Sequence, residues 1–264
     1  MDLGLTGRIA VVTGASKGIG LAACRALVAE GATVIAGSRT GSAALDELVA
    51  GGSVTSVLVD LGEPEGPARL IEFSDDLGGL DILVNNVGAA SLRLTGFLQI
   101  TDEQWASTMA LNFMSALRAT RAAIPRMIAR GGGNVVTIGS VNAFLPDPGV
   151  IDYSAAKAAI WNLSKSLSKE FGAQNLRFNS ISPGPVETAL WLGEHGVAQT
   201  VATNTGVDFE TAKAQVVASQ GGFSTGRFTT PSQVADLVIL LASNRAGNVT
   251  GADFLIDGGL VKTL

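Results

Sequence analysis

The feature that most constrains the fold of this 264-residue chain is an alternation of short, unbroken apolar runs with longer stretches rich in alanine and leucine. The apolar runs do not alternate with polar residues, so they predict strands that are buried on both faces. Strands of this kind, separated by helices, predict a parallel sheet with right-handed crossovers. We therefore predict an α/β fold, a doubly wound parallel sheet of about seven strands with helices on both faces, in a single domain over residues 1–264.

The predicted elements follow the chain in regular order. Strands are predicted at RIAVVTG, ATVIAGS, SVTSVLVD, LDILVNN, NVVTIGS, LRFNSIS and DFLIDG. Helices are predicted over residues 18–30, 42–50, 64–77, 101–130, 152–171 and 231–243. The exception is residues 189–230, an insertion of about forty residues with six glycines. One short helix, capped by Asp208, is predicted within it. Long insertions of this kind are commonly functional, and we expect a substrate lid.

Composition restricts the partners and the compartment. A single cysteine, Cys24, excludes an internal disulfide and fits a reducing cytoplasm. No signal peptide is recognisable, and no apolar run reaches the roughly 20 residues of a membrane-spanning helix. The net charge of −5 argues against general binding to nucleic acid or to anionic membranes. With one cysteine and one histidine, His195, the chain lacks the usual ligand set of a metal site, and none is expected. His195 is expected to be an exposed loop residue.

A glycine-rich turn, TGASKGIG, follows the first predicted strand and opens the first helix. Gly14, Gly18 and Gly20 allow a tight turn and a close approach to the backbone, and the helix N-terminus presents free N–H groups. In open parallel sheets, ligands bind beyond the carboxyl ends of the strands. A turn without a ligand is the alternative, but the position of these glycines favours binding of a nucleotide phosphate.

The only tyrosine, Tyr153, stands four residues before Lys157 in a predicted helix, so the two share a helix face. An ammonium about 5 Å away, at an effective dielectric constant of about 20, favours the phenolate by about 3 kcal/mol. This would lower the tyrosine pKa by about two units and let Tyr153 exchange a proton with a substrate oxygen. Ser140 ends the fifth predicted strand and is expected to donate to the same oxygen. A chance surface pairing is the alternative.

Further motifs stand at the ends of later strands, namely NNVG at 85–88 and SPGPVET at 182–188. Together with the T-G-x-x-x-G-x-G turn and the Y-x-x-x-K pair, they resemble the short-chain dehydrogenase/reductase family over about residues 5–260. Val87 departs from the NNAG of that family. The resemblance implies a Rossmann fold, a nicotinamide cofactor and the interconversion of a carbonyl and a secondary alcohol.

The same resemblance assigns roles to individual residues. It implies a catalytic set of Asn112, Ser140, Tyr153 and Lys157, in which Asn112 serves a water-mediated proton relay and Lys157 also binds the nicotinamide ribose. Asn85 is expected to tie strands together. The residues implied for the cofactor are Gly14, Ser16, Lys17, Gly18, Ile19, Gly20, Ser38, Arg39, Asp60, Leu61, Asn86, Gly88, Tyr153, Lys157, Pro183, Gly184, Val186 and Thr188.

The end of the second predicted strand indicates which cofactor is preferred. Domains that bind NAD usually place an acidic residue there to hold the ribose hydroxyls. This chain has Ser38 followed by Arg39, and a guanidinium suits a 2′-phosphate. Lys17 can add a second positive charge. We therefore expect NADP(H) to be preferred over NAD(H), the alternative being that both cations are simply solvated.

Three functions are compatible with this pattern. The leading one is an NADP(H)-dependent oxidoreductase of a small apolar carbonyl or alcohol, because the residues expected to line the substrate site are mostly apolar. We call them the substrate wall: Ala143, Phe144, Leu145, Val150, Trp191, Leu192 and Phe223. A 3-oxoacyl-acyl-carrier-protein reductase is the second, with an acidic carrier meeting Arg118, Arg121, Arg126 and Arg130. A nucleotide-sensing regulator is the third, and the complete catalytic set argues against it.

The family resemblance also implies an assembly. The helix that carries Asn112 and the helix that begins near Tyr153 pair across a dimer in that family, usually within a tetramer. We therefore expect a homodimer or a homotetramer.

Overall fold

The computed structural model describes residues 2–194, 196–219 and 221–263. Within them, seven parallel strands form one sheet in the order β3-β2-β1-β4-β5-β6-β7. Because the strand order reverses between β1 and β4, a crevice opens beyond their carboxyl ends. The predicted doubly wound Rossmann fold is confirmed. The strands are β1 (Ile9–Thr13), β2 (Thr33–Ser38), β3 (Val54–Leu58), β4 (Ile82–Asn85), β5 (Gly133–Ile138), β6 (Leu176–Pro183) and β7 (Asp253–Ile256).

Helices cover both faces of the sheet. One apolar core joins α1, α2 and α10 to one face, and a second joins α3 and α5 to the other. None of the helices in the described ranges combines the length and apolarity needed to cross a bilayer. The helices are α1 (Gly18–Ala29), α2 (Ala43–Ala50), α3 (Gly66–Glu72), α4 (Asp102–Met109), α5 (Ser115–Ala129), α6 (Ile151–Phe171), α7 (Ala189–Leu192), α8 (Val197–Thr205), α9 (Phe209–Ser219) and α10 (Pro231–Ala242).

The expectation that every strand is buried on both faces is correct in the middle of the sheet and wrong at its edges. All residues of β1 and β4 are buried. In contrast, Leu58 of β3 is 67% exposed and Leu255 of β7 is 45% exposed. Edge strands have a neighbour on one side only, and their apolar runs alone do not distinguish them from central strands.

The predicted helix over residues 101–130 is interrupted. It begins as expected at Thr101, whose hydroxyl accepts from the Gln104 amide in a capping box. Between α4 and α5 the chain forms a π-helical turn over Ala110–Met114. A π turn accommodates one additional residue without ending the helix, and such turns are frequent at functional sites. Asn112 lies in this turn.

The insertion contains more helix than the sequence indicates. The predicted helix is α9, and Asp208 caps it by accepting from the Thr211 amide at 3.0 Å. Helices α7 and α8 were not predicted. His195, in the same insertion, lies outside the described residues. A third apolar cluster connects the insertion to the C-terminal tail, and its buried members are Val141, Phe223, Phe228 and Leu260.

Candidate active site

The glycine-rich turn lies at the carboxyl end of β1 and leads into α1. Gly14 and Gly18 have positive φ angles of 67° and 55°. A Cβ on Gly20 would lie 2.3 Å from the Gly14 carbonyl oxygen, so no larger residue fits. Lys17, at the N-cap, makes no side-chain capping bond, and the first turn contains no acidic residue. The N–H groups that begin α1, including that of Ile19, therefore suit an anionic phosphate.

Asn86 fastens this turn to β4. Its Nδ2 donates to the carbonyl oxygens of Thr13 and Gly14 at 2.9 and 3.1 Å. In return, the Thr13 hydroxyl accepts from the Asn86 amide at 2.9 Å. The neighbouring Asn85 donates through Nδ2 to the Thr120 hydroxyl of α5 at 2.8 Å, as expected for a structural tie. The Nδ2 atom of Asn86 therefore holds the glycine-rich turn in place through two hydrogen bonds.

The end of β2 presents positive charge. Ser38 is buried, and its hydroxyl donates to the Thr40 carbonyl oxygen at 3.0 Å. Arg39 and Lys17 are both exposed, and neither forms an ion pair with any residue that the structure describes. Arg39, beyond β2, and Lys17, in the glycine-rich turn, are therefore two available cations, and position 38 carries no carboxylate.

Asp60 and Leu61 follow β3 at the same edge of the sheet. Asp60 is exposed, and its Oδ1 accepts from the Gly62 amide at 2.9 Å, whereas Leu61 is buried. On the opposite side of the turn, the Ser42 hydroxyl donates to the Ser16 carbonyl oxygen at 2.7 Å. This bond ties the start of α2 to the glycine-rich turn, in the way that Asn86 ties β4 to it.

Tyr153, Lys157 and Ser140 come together at the carboxyl end of β5. The Lys157 ammonium is buried, donates to the Ile138 carbonyl oxygen at 2.8 Å and lies 5.5 Å from the centre of the Tyr153 ring. Ser140 is also buried and hydrogen-bonds with the Tyr153 side chain. The Asn142 amide donates to the Ser140 hydroxyl at 3.2 Å and orients it.

The pKa of Tyr153 differs from the sequence-based expectation. Burial disfavours the phenolate and raises its pKa above the ordinary value, and the hydrogen bond with Ser140 offsets only part of this. Burial also lowers the pKa of Lys157 to about 8. The expectation that Lys157 lowers the tyrosine pKa is therefore wrong for the ligand-free chain, because desolvation outweighs the nearby charge.

Asn112 is buried and holds the segment that follows β4. Its Oδ1 accepts from the Ala89 amide at 3.0 Å, and its Nδ2 donates to the carbonyl oxygens of Ala89 and Thr108 at 2.9 and 3.0 Å. A Cβ on Gly88 would lie 2.7 Å from Asn112 Oδ1 and 3.5 Å from Lys157 Nζ. The structure therefore brings Asn112, Gly88 and Lys157 into one cluster.

The segment after β6 closes the opposite side of the crevice. Pro183 ends β6, and a Cβ on Gly184 would come within 2.9 Å of the turn that follows β7. Val186 is buried. Thr188 lies beside the glycine-rich turn, since a Cβ on Gly18 would be 3.4 Å from its methyl group. A cavity of about 750 Å³ between α1, α7 and α10 adjoins this contact.

The substrate wall divides into two parts. Phe144 and Leu145 are 41% and 43% exposed beside the end of β5. Phe223 is buried, and Trp191 packs against Phe228 with ring centres 6.2 Å apart. The insertion thus keeps some of its predicted wall residues inside the third apolar cluster.

Three neighbours of the site were not predicted: Arg93, Thr108 and Asp152. Asp152 is fully buried and accepts hydrogen bonds from both of the others. Its position next to Tyr153 was the only available signal, because Arg93 lies 59 residues earlier in the chain. Among the described residues, no three histidine, cysteine, aspartate or glutamate side chains cluster as metal ligands do.

Comparisons with known proteins show which family the chain resembles. A family model described as short chain dehydrogenase matches residues 8–195. The oxidoreductase YvrD of Bacillus subtilis is 32% identical over 268 residues, which cover 100% of each chain. The 3-oxoacyl-acyl-carrier-protein reductase FabG of Vibrio harveyi is 31% identical over 98% of this chain and 99% of its own. The crystal structure of L-sorbose reductase from Gluconobacter frateurii, complexed with NADPH and L-sorbose, aligns over 100% of both chains with a TM-score of 0.91 and 34% identity.

Proposed function

We propose a specific reaction for this chain, which belongs to the short-chain dehydrogenase family and is an NAD(P)-dependent dehydrogenase or reductase. In this proposal it uses NADP(H) to interconvert a carbonyl and a secondary alcohol of a small, uncharged molecule. The observation that carries this proposal is the cluster of Tyr153, Lys157, Ser140 and Asn112 at one end of a crevice whose other end is the glycine-rich turn. A proton donor and an anion-binding turn face the same crevice.

The residues of the chain have distinct tasks in this proposal. The turn over residues 14–20 and the start of α1 hold the cofactor phosphates, and the cofactor, when bound, supplies or accepts the hydride. Tyr153 donates its proton to the substrate oxygen during reduction and removes it during oxidation. Ser140 donates a hydrogen bond to the same oxygen. Lys157 holds the nicotinamide ribose and favours the phenolate after the proton has left.

The preference for NADP(H) is supported by the end of β2. The buried Ser38 hydroxyl is already bonded to the main chain, and position 38 carries no carboxylate to repel a 2′-phosphate. Arg39 and Lys17 are exposed and lack ion pairs within the described ranges. If each charge-assisted bond contributes ~1.5–3 kcal/mol, the two cations together favour NADP(H) by about 100-fold to 10,000-fold. The NADPH complex of the similar L-sorbose reductase is in line with this.

The test compares dissociation constants for NADPH and NADH in the wild type and in a Ser38→Asp, Arg39→Ala double variant. We expect tighter NADPH binding in the wild type and a reversed preference in the variant. Arg121→Ala, which removes an exposed arginine from α5, is the matched control and should leave the ratio unchanged. Equal affinities in the wild type, or tighter binding of NADH, would contradict the proposal.

The carrier-protein alternative has less support from the arginines on α5. Arg126 and Arg130 form ion pairs with aspartates, and Arg118 is half-buried. Of the four, Arg121 alone is exposed and without an ion pair among the described residues. An acidic carrier would therefore meet little free positive charge on this helix.

A substrate screen distinguishes the two activities. Ketones and secondary alcohols are offered with both cofactors, beside a 3-oxoacyl thioester that is either free or attached to a carrier protein. We expect turnover of small carbonyl compounds with NADPH and no advantage from the carrier. Turnover that requires the carrier would favour the 3-oxoacyl-acyl-carrier-protein reductase. NADPH binding without turnover of any compound would favour a nucleotide-sensing regulator.

We also propose that the protein forms a homodimer or a homotetramer through α5 and α6. One observation supports this: Trp161 of α6, a large apolar side chain, is 40% exposed. A monomer by light scattering at micromolar concentration would contradict this assembly.

A further inference from the structure

A buried ion pair lies beside the candidate catalytic tyrosine. Asp152 is fully buried, and the Arg93 side chain is 12% exposed. Arg93 Nε donates to Asp152 Oδ2 at 2.9 Å, and Nη2 of the same guanidinium contacts that oxygen as well. The Thr108 hydroxyl donates to Oδ2 at 2.8 Å. Three donors from two separate segments therefore converge on one carboxylate oxygen.

The second oxygen of Asp152 binds the tyrosine's own backbone. The Tyr153 amide donates to Asp152 Oδ1 at 3.0 Å. This amide belongs to the first turn of α6, where N–H groups have no intrahelical acceptor, and Val150 at the N-cap makes no side-chain bond. A carboxylate is also favoured at this end of a helix by the helix dipole. Asp152 therefore fixes the turn of helix from which the Tyr153 side chain projects.

The same network reaches the segment after β4. The Arg93 amide donates to the Gly149 carbonyl oxygen at 2.8 Å, just before α6. The Thr108 carbonyl oxygen accepts from Asn112 Nδ2 at 3.0 Å, and Asn112 also holds Ala89. The segment from 89 to 93 is thus attached to Asn112 at one end and to Asp152 at the other.

We propose that Arg93, Thr108 and Asp152 are positioning residues, which hold Tyr153 and Asn112 in one arrangement for proton transfer. This inference rests on the proposed function. The Asp152 carboxylate is fully occupied by its donors and takes no part in the proton transfer itself. Burial alone would raise the pKa of Asp152, but the hydrogen bonds from Arg93, Thr108 and the Tyr153 amide hold it below the ordinary value. Asp152 therefore stays ionised and keeps its partners near neutral pH.

The first measurement separates turnover from cofactor binding. Because misplacement of a reacting group by about 1 Å lowers rates by about 100-fold, we expect Asp152→Asn and Arg93→Met to lower kcat by about 10- to 100-fold. The dissociation constant for NADPH should stay within about threefold of the wild type. Thr108→Val, which removes one of the three donors to Oδ2, should lower kcat by about threefold. It keeps the proposal testable if the other two variants do not fold.

A matched control comes from a second ion pair whose aspartate is buried, although its arginine side chain is 31% exposed. Asp81 is buried, pairs with Arg130 and accepts from the Ile9 amide, as Asp152 pairs with Arg93 and accepts from the Tyr153 amide. It lies at the opposite end of the sheet, next to the start of β1. Asp81→Asn should lower the melting temperature and leave kcat within about twofold of the wild type. This comparison separates a loss of stability from a loss of positioning.

The second measurement asks whether Asp152 acts through Tyr153. In a Tyr153→Phe background, Asp152→Asn should change the residual turnover by less than about twofold, because the Tyr153 hydroxyl, which donates the proton, is gone. Amide hydrogen exchange gives a readout that needs no activity. Asp152→Asn should accelerate exchange in residues 89–93 and 151–156 together, and Asp81→Asn should not.

Two results would overturn the proposal. One is an unchanged kcat in folded Asp152→Asn and Thr108→Val, and the other is a loss in the Tyr153→Phe background as large as in the wild type. If the wild type turned over no compound in the substrate screen, the proposed function would be in error. The exchange comparison would then decide the matter by itself, since unchanged exchange at both segments in Asp152→Asn contradicts the network.

Discussion

Tyr153 and Lys157 show how burial and charge compete within one turn of a helix. The ammonium lies 5.5 Å from the centre of the phenol ring, close to the separation that helix geometry suggests. Burial nevertheless raises the pKa of Tyr153 and lowers that of Lys157 to about 8. Near pH 7 the ligand-free chain therefore holds a protonated phenol beside a lysine that is still mostly charged. This is the protonation state that reduction of a carbonyl requires.

The ionisation of Tyr153 can be followed directly, because it is the only tyrosine in the chain. We expect the phenolate absorbance of the ligand-free protein to rise with a midpoint above the ordinary pKa of about 10. Lys157 has lost its charge by that pH, so it no longer opposes the effect of burial. Tyr153→Phe serves as the blank. A midpoint below 10 would show that the lysine charge outweighs burial.

Substitution of the same residue tests its chemical role. Tyr153→Phe keeps the ring and removes only the hydroxyl, so NADPH binding should be retained, whereas turnover should fall by about 100-fold or more. Lys157→Ala should lower both turnover and NADPH affinity, since Lys157 is proposed to serve both. Near-normal turnover in purified Tyr153→Phe would contradict the assignment of the proton donor.

At the scale of elements, the sequence predicts those whose signals are local. The central strands are marked by unbroken apolar runs, and α9 is marked by Asp208 at its cap. The π turn over residues 110–114 leaves no comparable mark, because it shifts the helix phase without a proline or glycine. Helices α7 and α8 are short and depend on tertiary packing, so local propensity does not reveal them.

The site divides in the same way. The glycine-rich turn and the Y-x-x-x-K pair are contiguous in sequence and could be predicted. The contact of Arg93 with Asp152 joins residues 59 positions apart and depends on how two loops pack. The pKa shift of Tyr153 was predicted with the wrong sign, because the depth of burial follows from tertiary structure and not from spacing.

The insertion is the element whose movement we expect to matter most. The third apolar cluster joins Phe223 and Phe228 of the insertion to Leu260 of the C-terminal tail, and Trp191 of α7 and Val217 of α9 pack against it. We predict that amide exchange in residues 189–230 is fast in the ligand-free protein and slows when NADPH and substrate bind. Exchange that is equally slow in both states would contradict a lid.

Anchoring of the insertion can be tested separately. Leu260→Ala removes a buried side chain from the third apolar cluster, so it should accelerate exchange in residues 221–228 and raise the KM for substrate. Exchange in β1 and β4 should not change, since these strands belong to other cores. An effect spread evenly over the sheet would indicate general destabilisation instead.

At the scale of the whole molecule, the candidate active site lowers the free energy of unfolding that the apolar cores provide. Two apolar cores secure the sheet from both faces, and Cys24 lies inert within one of them, since burial raises the pKa of its thiol to about 12. Lys157, in contrast, is a charged group with one hydrogen-bond acceptor, the Ile138 carbonyl oxygen, in the structure as described. Burying such a charge without a carboxylate is unfavourable, and proteins retain such groups where function requires them.

The unfavourable burial of the Lys157 charge predicts how the free energy of unfolding depends on pH. The pKa of Lys157 is about 8 in the folded chain and 10.5 as its ordinary value. Below about pH 8 Lys157 is protonated in both the folded and the unfolded chain, so the folded chain bears the full cost of burying its charge. Between about pH 8 and pH 10.5 Lys157 is protonated in the unfolded chain and largely deprotonated in the folded chain, so the free energy of unfolding rises with pH. A separation of this size corresponds to about 3 kcal/mol at most.

The measurement compares wild type with Lys157→Met by urea unfolding, without ligand, at pH 7 and pH 9.5. Tyr153 is present in both proteins, so its own titration cancels. The stability of the wild type relative to the variant should rise by about 2 kcal/mol between the two pH values. Lys169→Met replaces an exposed lysine of the same helix and should show no such change. A difference that is independent of pH, or that falls as pH rises, would mean that Lys157 keeps its proton in the folded chain and that its charge is better solvated than its burial implies.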